Sequence, residues 1–355
     1  PKGRVMFIAN LIKILGCALI FWHVHPLAAY AVVGFGAAIY SPAKYGILTE
    51  LLPPEKLVAA NGWIEGLTVT SIILGTVMGG ALVSGKVAAS LLTIDVPYIE
   101  TGINTTSEIA LCVVGATYVL AAIFNLKIPD TGCVYEHQER NPLKLITDFS
   151  NCCVILWKDK LGQISLAVTT LFWGAGATLQ LIVLEWAKKS LNMTFDRATS
   201  TVGMVAIGVA LGAALSARFI TLRKSLTVIP LGIAMGVIVM GMVLVDSVYL
   251  AYPLLILIGV LSGFFVVPMN ALLQHRGHVL MSAGHSIAVQ NFNENLSILT
   301  MLAMYSLMLR LHLDLNAIIV LFGVFVAGTM LMIMRIHAAN QREHDSLALI
   351  GEHKH

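Results

Sequence analysis

The sequence predicts an all-α membrane protein, and its composition and the length of its apolar runs are the observations that predict it. Of 355 residues, 57% are hydrophobic and only 12% are charged, and the mean hydropathy is +0.85. Such a composition is far more apolar than that of a soluble domain. The uninterrupted apolar runs reach the length of about 20 residues that a helix needs to cross a bilayer. They lack the period-two alternation of the strands in membrane β-barrels.

Ten apolar runs separated by polar punctuation predict ten transmembrane helices. They cover residues 5–22, 27–50, 58–83, 107–126, 163–187, 198–220, 226–245, 249–273, 282–309 and 315–336. With the N-terminal end in the cytoplasm, most of the 22 lysines and arginines fall in cytoplasmic segments. This positive-inside bias predicts that both ends of this chain are cytoplasmic.

The longest polar segment between predicted spans divides the chain into four helices and six. The predicted organisation is an N-terminal half (1–126), a cytoplasmic linker (127–162), a C-terminal six-helix half (163–337) and a cytoplasmic tail (338–355). Apolar residues recur at helical spacing within the linker, at Leu143, Ile146, Phe149, Cys153 and Trp157. The spacing predicts an amphipathic helix over 142–158 that lies on the membrane surface, with a partner-docking surface as the alternative.

An internal repeat relates the two halves. Aligning Pro42 with Pro268 pairs "VGFGAAIYSPAKYGIL" (33–48) with "IGVLSGFFVVPMNALLQ" (258–274), at an offset of 226 residues. In each copy a glycine-studded apolar run leads to proline and then to a polar residue two positions later. Parallel repeats six helices apart are the arrangement of the two halves of major facilitator transporters. The sequence thus predicts a major facilitator superfamily bundle with ten of the usual twelve helices, truncated at its N-terminus.

Four charged side chains fall within predicted spans, at Lys13, Lys44, Glu65 and Glu294. Each costs roughly 2.5 to 3.5 kcal/mol on insertion scales, so such residues are expected to face a cavity or to pair. Lys44 has two interpretations: a cation at the mouth of a cleft behind Pro42, or a side chain that snorkels to the interface. Glu50, which is closer to the loop, is expected at the membrane interface.

Amides accompany these charges in the same spans. Asn61 and Glu65 are four residues apart and share one helix face. The run "AVQNFNENLSI" (288–298) is the densest polar cluster in any predicted span, with a cytoplasmic helix extension as its alternative interpretation. The predicted substrate-binding residues are Lys13, Lys44, Asn61, Glu65, Gln180, Asn270, Gln290, Asn291 and Glu294.

Two other features are interpreted as packing. Ser71, Gly75 and Gly79 form a small-residue ladder four residues apart, which predicts close contact with another helix. The five cysteines show no metal-ligand spacing and are interpreted as small apolar residues.

Catalytic patterns are incomplete. "GALVSGKV" (80–87) has the glycine and lysine spacing of a phosphate-binding loop, but Val87 replaces the required hydroxyl residue and no strand precedes it. "GHSIA" (284–288) ends in alanine where a nucleophile elbow has glycine. The small net charge of +3, with its basic residues scattered, argues against a nucleic-acid partner. The sequence therefore predicts no enzyme, no metal site and no cofactor.

Several segments resemble the bacterial lysophospholipid transporters, a family of the major facilitator superfamily. They are "SPAKYGILTELLPPEKLVAANGWIEG" (41–66), "LFWGAGATLQL" (171–181), and "GFFVVPMNALLQHRGH" with "SAGHSIAVQNFNEN" (263–278 and 282–295). The resemblance implies movement of lysophospholipids, such as lysophosphatidylethanolamine, across the bacterial inner membrane to the cytoplasmic leaflet. It also implies membrane lipids as surroundings and an acyltransferase-acyl carrier protein synthetase as the partner that restores the missing chain. Residues 86–106 form a longer external segment than this resemblance leads us to expect.

On this resemblance, Lys13 and Lys44 would attract the phosphate, Glu65 and Glu294 would meet an ammonium headgroup, and the amides would bridge them. The two halves would move by alternating access. Two alternatives remain. One is a proton-coupled major facilitator exporter of a small solute or drug. The other is a membrane scaffold that docks a lipid-modifying enzyme through residues 142–158.

Overall fold

The computed structural model describes residues 2–83, 105–133, 141–343 and 350, and these ranges contain eleven α-helices and no strand. The helices are α1 Lys2–Phe21, α2 Pro26–Leu51, α3 Leu57–Val83, α4 Thr106–Asn125, α5 Pro142–Lys158, α6 Gly162–Lys189, α7 Phe195–Phe219, α8 Ile229–Met240, α9 Val248–Leu280, α10 Ala283–Arg310 and α11 Leu315–Glu343. The predicted all-α class is confirmed. Most of the segment 86–106 lies outside the described residues.

Ten of these helices coincide with the ten predicted spans. Within the described ranges, eight helical segments are long and apolar enough to cross a membrane. One of them, Leu222–Leu244, consists of α8 with a 3₁₀ segment at each end. Helices α3 and α10 are not among the eight, and the N-terminal half of α10 carries the polar run 290–295.

The chain forms two compact units. The first comprises Pro1–Leu51 and Ser71–His137, and the second comprises Leu52–Thr70 and Gln138–His355. Helix α3 therefore contributes its N-terminal half to the second unit and its C-terminal half to the first. The division of the chain at a linker over 127–162 stays a prediction.

In the first unit, α1 packs on both α2 and α4. A buried ion pair joins the ammonium of Lys2, at the start of α1, to the carboxylate of Glu50, near the end of α2. The hydroxyl of Thr131 donates a second hydrogen bond to Glu50, at 2.8 Å. The side chain of Glu50 is only 2% exposed, so its partners bury it, and its position at the membrane interface stays a prediction.

The most extensive helix contact in the second unit joins α7 to α9. Gly208 and Gly212 of α7 face Gly259 and Gly263 of α9. A Cβ atom on any of the four would come within 2.2 Å of a backbone carbonyl oxygen of the other helix. Glycine at these positions lets the two backbones approach closely, as paired small residues do in membrane helices.

The packing ladder predicted at Ser71, Gly75 and Gly79 stays a prediction, since its two glycines meet no neighbour among the described residues. A Cβ atom added to Gly75 or Gly79 would meet no atom of the described residues within 4 Å. Close packing on α3 occurs earlier, at Gly62, where an added Cβ would lie 2.5 Å from the Cβ of Ala217 on α7. The N-terminal half of α3 is thus held against α7, because the contact depends on where a neighbouring helix crosses and not on the spacing of small residues alone.

Helix α5 has the bounds of the amphipathic helix predicted over 142–158, and its position on the membrane surface stays a prediction. The side chain of Asn141 caps its first turn by accepting a hydrogen bond from the backbone N–H of Leu143 at 3.1 Å. Its inner face packs through the fully buried Leu156 on residues of α6, α9 and α10. Nearer the start of α5, Leu143 and Ile146 are exposed by 75% and 64%.

Candidate functional site

Six buried polar side chains, here called the polar network, form two hydrogen-bonded groups in the second unit, where α3, α9 and α10 meet. None of them is more than 7% exposed: Asn61, Glu65, Asn270, Gln274, Gln290 and Glu294. Each helix contributes two residues that are four positions apart. Because residues four apart lie one turn above each other, each pair occupies one helix face and extends along the helix axis.

The first part of the network is a reciprocal amide pair between α3 and α9. Asn61 Nδ2 donates to Gln274 Oε1 at 2.8 Å, and Gln274 Nε2 donates to Asn61 Oδ1 at 2.8 Å. Asn61 Nδ2 also donates to the carbonyl oxygen of Leu57 one turn earlier, at 2.9 Å. Two matched amides therefore satisfy each other in a place without solvent, and they fix α3 against α9.

The second part links two carboxylates through two amides. Asn270 Nδ2 lies 3.5 Å from Glu65 Oε1, and Asn270 Oδ1 accepts from Gln290 Nε2 at 2.9 Å. Gln290 Nε2 also donates to Glu294 Oε1 at 2.7 Å. The chain of contacts from Glu65 to Glu294 thus crosses all three helices.

Glu65 and Glu294 are the two acidic residues of this network, and both are buried. Burial removes the screening that water would give to an ionised carboxylate. A cation that enters this network would gain charge-assisted hydrogen bonds to such a carboxylate. The arrangement is therefore suited to an ammonium group. Among the described residues, no group of three or more histidines, cysteines, aspartates and glutamates could hold a metal ion.

The network contains five of the nine predicted site residues, namely Asn61, Glu65, Asn270, Gln290 and Glu294. Two others lie elsewhere in the second unit: Gln180 is exposed on α6, and Asn291 is half-buried on α10. Gln274 was missed by the sequence prediction, although it lies one turn after Asn270 on the same helix. That spacing repeats the Asn61 and Glu65 pair and was the available signal.

The remaining two predicted residues, Lys13 and Lys44, lie in the first unit, on α1 and α2. The ammonium of Lys13 lies 4.3 Å from the centre of the Tyr40 ring and 5.5 Å from that of Tyr118. Lys44 Nζ lies 4.8 Å from the centre of its neighbour's ring, Tyr45, and repels Lys13 electrostatically. Both lysines are half-buried. Two cations that repel each other among aromatic rings favour the approach of an anion.

A buried ion pair anchors the network from the side of α5. Arg276 Nε and Nη2 donate to Asp159 Oδ1 and Oδ2 at 3.1 and 2.6 Å, with the two side chains 3% and 9% exposed. Asp159 also accepts from the backbone N–H groups of Leu161 and Gly162 at the start of α6. This bidentate contact holds α9, two residues after Gln274, against the turn between α5 and α6.

Comparison with known proteins identifies the family. Residues 1–300 match the family model of the Major Facilitator Superfamily. The chain is 43% identical over 311 residues to the lysophospholipid transporter LplT of Serratia proteamaculans (strain 568), which covers 87% of this chain and 73% of that relative. It is 43% identical over 312 residues to LplT of Yersinia pestis (strain Pestoides F), covering 87% and 72% of the two chains.

Solved structures share the fold. The structure of the Major Facilitator Superfamily transporter FucP in the outward conformation superimposes with a TM-score of 0.64 at 12% identity, covering 95% of this chain and 83% of FucP. The resemblance found in the sequence segments is confirmed. This chain belongs to the LplT family of the Major Facilitator Superfamily.

Proposed function

We propose that this protein transports lysophospholipids, such as lysophosphatidylethanolamine, across the bacterial inner membrane to the cytoplasmic leaflet for re-acylation. The observation that carries the proposal is the pair of buried carboxylates, Glu65 and Glu294, joined by the amides of Asn270 and Gln290. The names of the relatives, with 43% identity over 87% of this chain, support the same cargo.

The polar network suits the ammonium of an ethanolamine headgroup. Glu65 and Glu294 provide the negative charge, and Asn270 and Gln290 keep the carboxylate oxygens oriented through their hydrogen bonds. A primary ammonium has three donors, so it can bond to both carboxylates and to an amide oxygen at once. Desolvation of the carboxylates is then offset by charge-assisted hydrogen bonds.

The phosphate of the headgroup is proposed to be attracted by Lys13 and Lys44. Their mutual repulsion falls when an anion lies near both, and the rings of Tyr40 and Tyr118 help to hold the Lys13 ammonium in place. Transport itself is proposed to proceed by alternating access, in which residues 1–126 move relative to residues 163–337.

The proposed location is the bacterial inner membrane, with both termini of this chain in the cytoplasm as the distribution of lysine and arginine predicts. The proposed partner is an acyltransferase-acyl carrier protein synthetase, because a delivered lysophospholipid needs a second acyl chain. The chain is proposed to act as a transporter and not as an enzyme.

Substitution of the two carboxylates tests the proposal. Glu65→Gln and Glu294→Gln keep the side-chain size but remove the charge, and uptake of labelled lysolipids into spheroplasts is measured. A hydrogen bond to a charged group contributes about 1.5 to 3 kcal/mol, so uptake of lysophosphatidylethanolamine should fall at least about tenfold. Uptake of lysophosphatidylglycerol, which has no ammonium, should fall less.

Glu185→Gln is the matched control. Glu185 lies near the end of α6, is 28% exposed at its side chain and pairs with Lys188 and Lys189, so its removal should leave uptake unchanged. Unchanged uptake by both network variants at normal expression would reject the role of the carboxylates. Uptake that is abolished by a protonophore in the unaltered protein but not in Glu294→Gln would instead favour the proton-coupled exporter.

A further inference from the structure

A cavity of the second unit lies between α6, α10 and α11, away from the polar network. Its volume is about 220 Å³. Three methionines of α10 line one side, and aliphatic and aromatic residues of α6 and α11 line the others; they include Met301, Met304, Met308, Ile182, Phe322 and Phe325. Apart from the hydroxyl groups of Thr178 and Tyr305, the lining side chains consist of carbon and sulfur.

The cavity has a buried floor and an exposed mouth. Ile182, Ile318 and Phe322 form the floor and are 0%, 1% and 5% exposed. Met304 and Phe325 at the mouth are 44% and 43% exposed. The hydroxyl of Thr178 donates to the carbonyl oxygen of Gly174 at 3.0 Å, so it is already satisfied within its own helix. The interior therefore offers little to a polar ligand and suits a hydrocarbon that enters through an apolar mouth.

One face of α10 connects this cavity with the polar network. Gln290, Glu294, Met301, Tyr305 and Met308 follow at intervals of four, seven, four and three residues, which keeps them on one side of a helix. At 1.5 Å per residue, Glu294 and Met308 are separated by about 21 Å along the axis. The face is polar at its N-terminal end and apolar at its C-terminal end. This order matches the polar headgroup and the apolar chain of a single-chain amphiphile.

We propose that this cavity binds the acyl chain of a lysophospholipid, and the inference rests on the proposed function. An apolar cavity of about 150 Å³ can admit benzene, so a volume of 220 Å³ has room for a segment of one hydrocarbon chain and not for two chains side by side. Methionine is flexible and polarizable, so the three on α10 can adapt to chains that differ in length or unsaturation. A diacyl lipid would have to leave its second chain outside the mouth, so we expect the cavity to favour a lysolipid.

Filling the cavity tests the inference through chain-length dependence. Ile182→Phe enlarges a floor residue and Met304→Trp blocks the mouth, where an exposed position does not endanger folding. A larger side chain that displaces two methylene groups of the acyl chain from the cavity should weaken the affinity about tenfold. The apparent KM for lysophosphatidylethanolamine with a 16-carbon chain should rise about tenfold, and that for an 8-carbon chain less than twofold. Met332→Trp, on the 62% exposed side of α11, is the control and should change neither. Equal changes for both chain lengths, or no change, would overturn the inference.

Photocrosslinking tests binding without transport. A lysophosphatidylethanolamine and a diacyl phosphatidylethanolamine carry the same diazirine near the chain end, and mass spectrometry locates the labelled peptides. The lysolipid should label residues 301–308 and 318–325 at least about tenfold more than the diacyl lipid, and Met304→Trp should abolish the difference. Equal labelling would mean an adventitious membrane lipid only and would overturn the inference. Selective labelling without uptake of any lysolipid would retain the cavity assignment while the proposed transport fails.

Discussion

The reciprocal amide pair of Asn61 and Gln274 allows a quantitative test of how α3 is held against α9. In Asn61→Leu, the amide of Gln274 loses both partners at a site that is 2% exposed. Each buried polar group left without a partner costs about 1 to 3 kcal/mol, so the nitrogen and oxygen together cost about 2 to 6 kcal/mol. Gln274→Met should cost less, about 1 to 3 kcal/mol, because the buried Asn61 oxygen loses its partner while the Asn61 nitrogen keeps its bond to Leu57.

The double variant distinguishes this account from simple loss of contacts. With Asn61→Leu and Gln274→Met together, no unsatisfied amide remains and two apolar side chains of similar size face each other. Replacing both partners of a buried hydrogen bond can be nearly neutral, so we expect a net cost of about 1 kcal/mol or less. The coupling energy between the two positions should therefore be at least about 2 kcal/mol.

The free energy of unfolding is measured by chemical denaturation in detergent micelles for both single variants and for the double variant. Asn295→Leu is the control, since Asn295 is exposed and its Nδ2 donates only within α10, to the carbonyl oxygen of Asn291 at 2.7 Å. Its cost should be below about 1 kcal/mol. If the two single effects add to within about 0.5 kcal/mol in the double variant, the reciprocal pairing does not hold α3 and α9 together.

Two further predictions concern the segment around α5. Asp159→Asn removes the charge that faces the guanidinium of Arg276, which is 3% exposed. The free energy of unfolding, measured by the same denaturation, should fall by about 3 to 5 kcal/mol. A cost below about 1 kcal/mol, as for an exposed ion pair, would refute this. Burial, with Cys153 and Asp148 nearby, raises the pKa of the Cys152 thiol, so less thiolate is present at neutral pH. In single-cysteine variants, maleimide should therefore label Cys152 more slowly than the exposed Cys133 at pH 7.5, and the labelling rate of Cys152 should keep rising with pH above its ordinary pKa; equal rates at pH 7.5 would contradict it.

The helices could be predicted from the sequence because two strong signals agree. Apolar runs long enough to span a bilayer predicted ten of the described helices. The helical spacing of Leu143, Ile146 and Phe149 among charged residues predicted α5. Backbone groups in a bilayer must bond within their own segment, so long apolar runs leave little choice other than helix. Exact ends depend on capping contacts, and α9 continues to Leu280, seven residues beyond the predicted end.

The contacts between helices were less predictable, because they depend on crossing points that spacing does not specify. Gly75 and Gly79 have the same spacing as Gly208 and Gly212, yet only the second pair meets another helix among the described residues. Conversely, Glu65 and Glu294 could be singled out because a charge in a span is costly. Gln274 carries no charge, so the cost that marked the two glutamates did not mark it.

The internal repeat extends further in the structure than residue similarity indicates. The offset of 226 that aligns Pro42 with Pro268 also aligns Glu50 with Arg276. Each residue lies eight positions after its proline, on a helix that continues through that proline, and each forms a buried ion pair within its own unit, with Lys2 or Asp159. The two positions carry opposite charges, so a comparison of residue types does not match them. What the two copies share is the position of a charged side chain that is buried near the end of a helix and binds the start of another segment. A positive or a negative side chain can occupy this position when a partner of opposite charge is present.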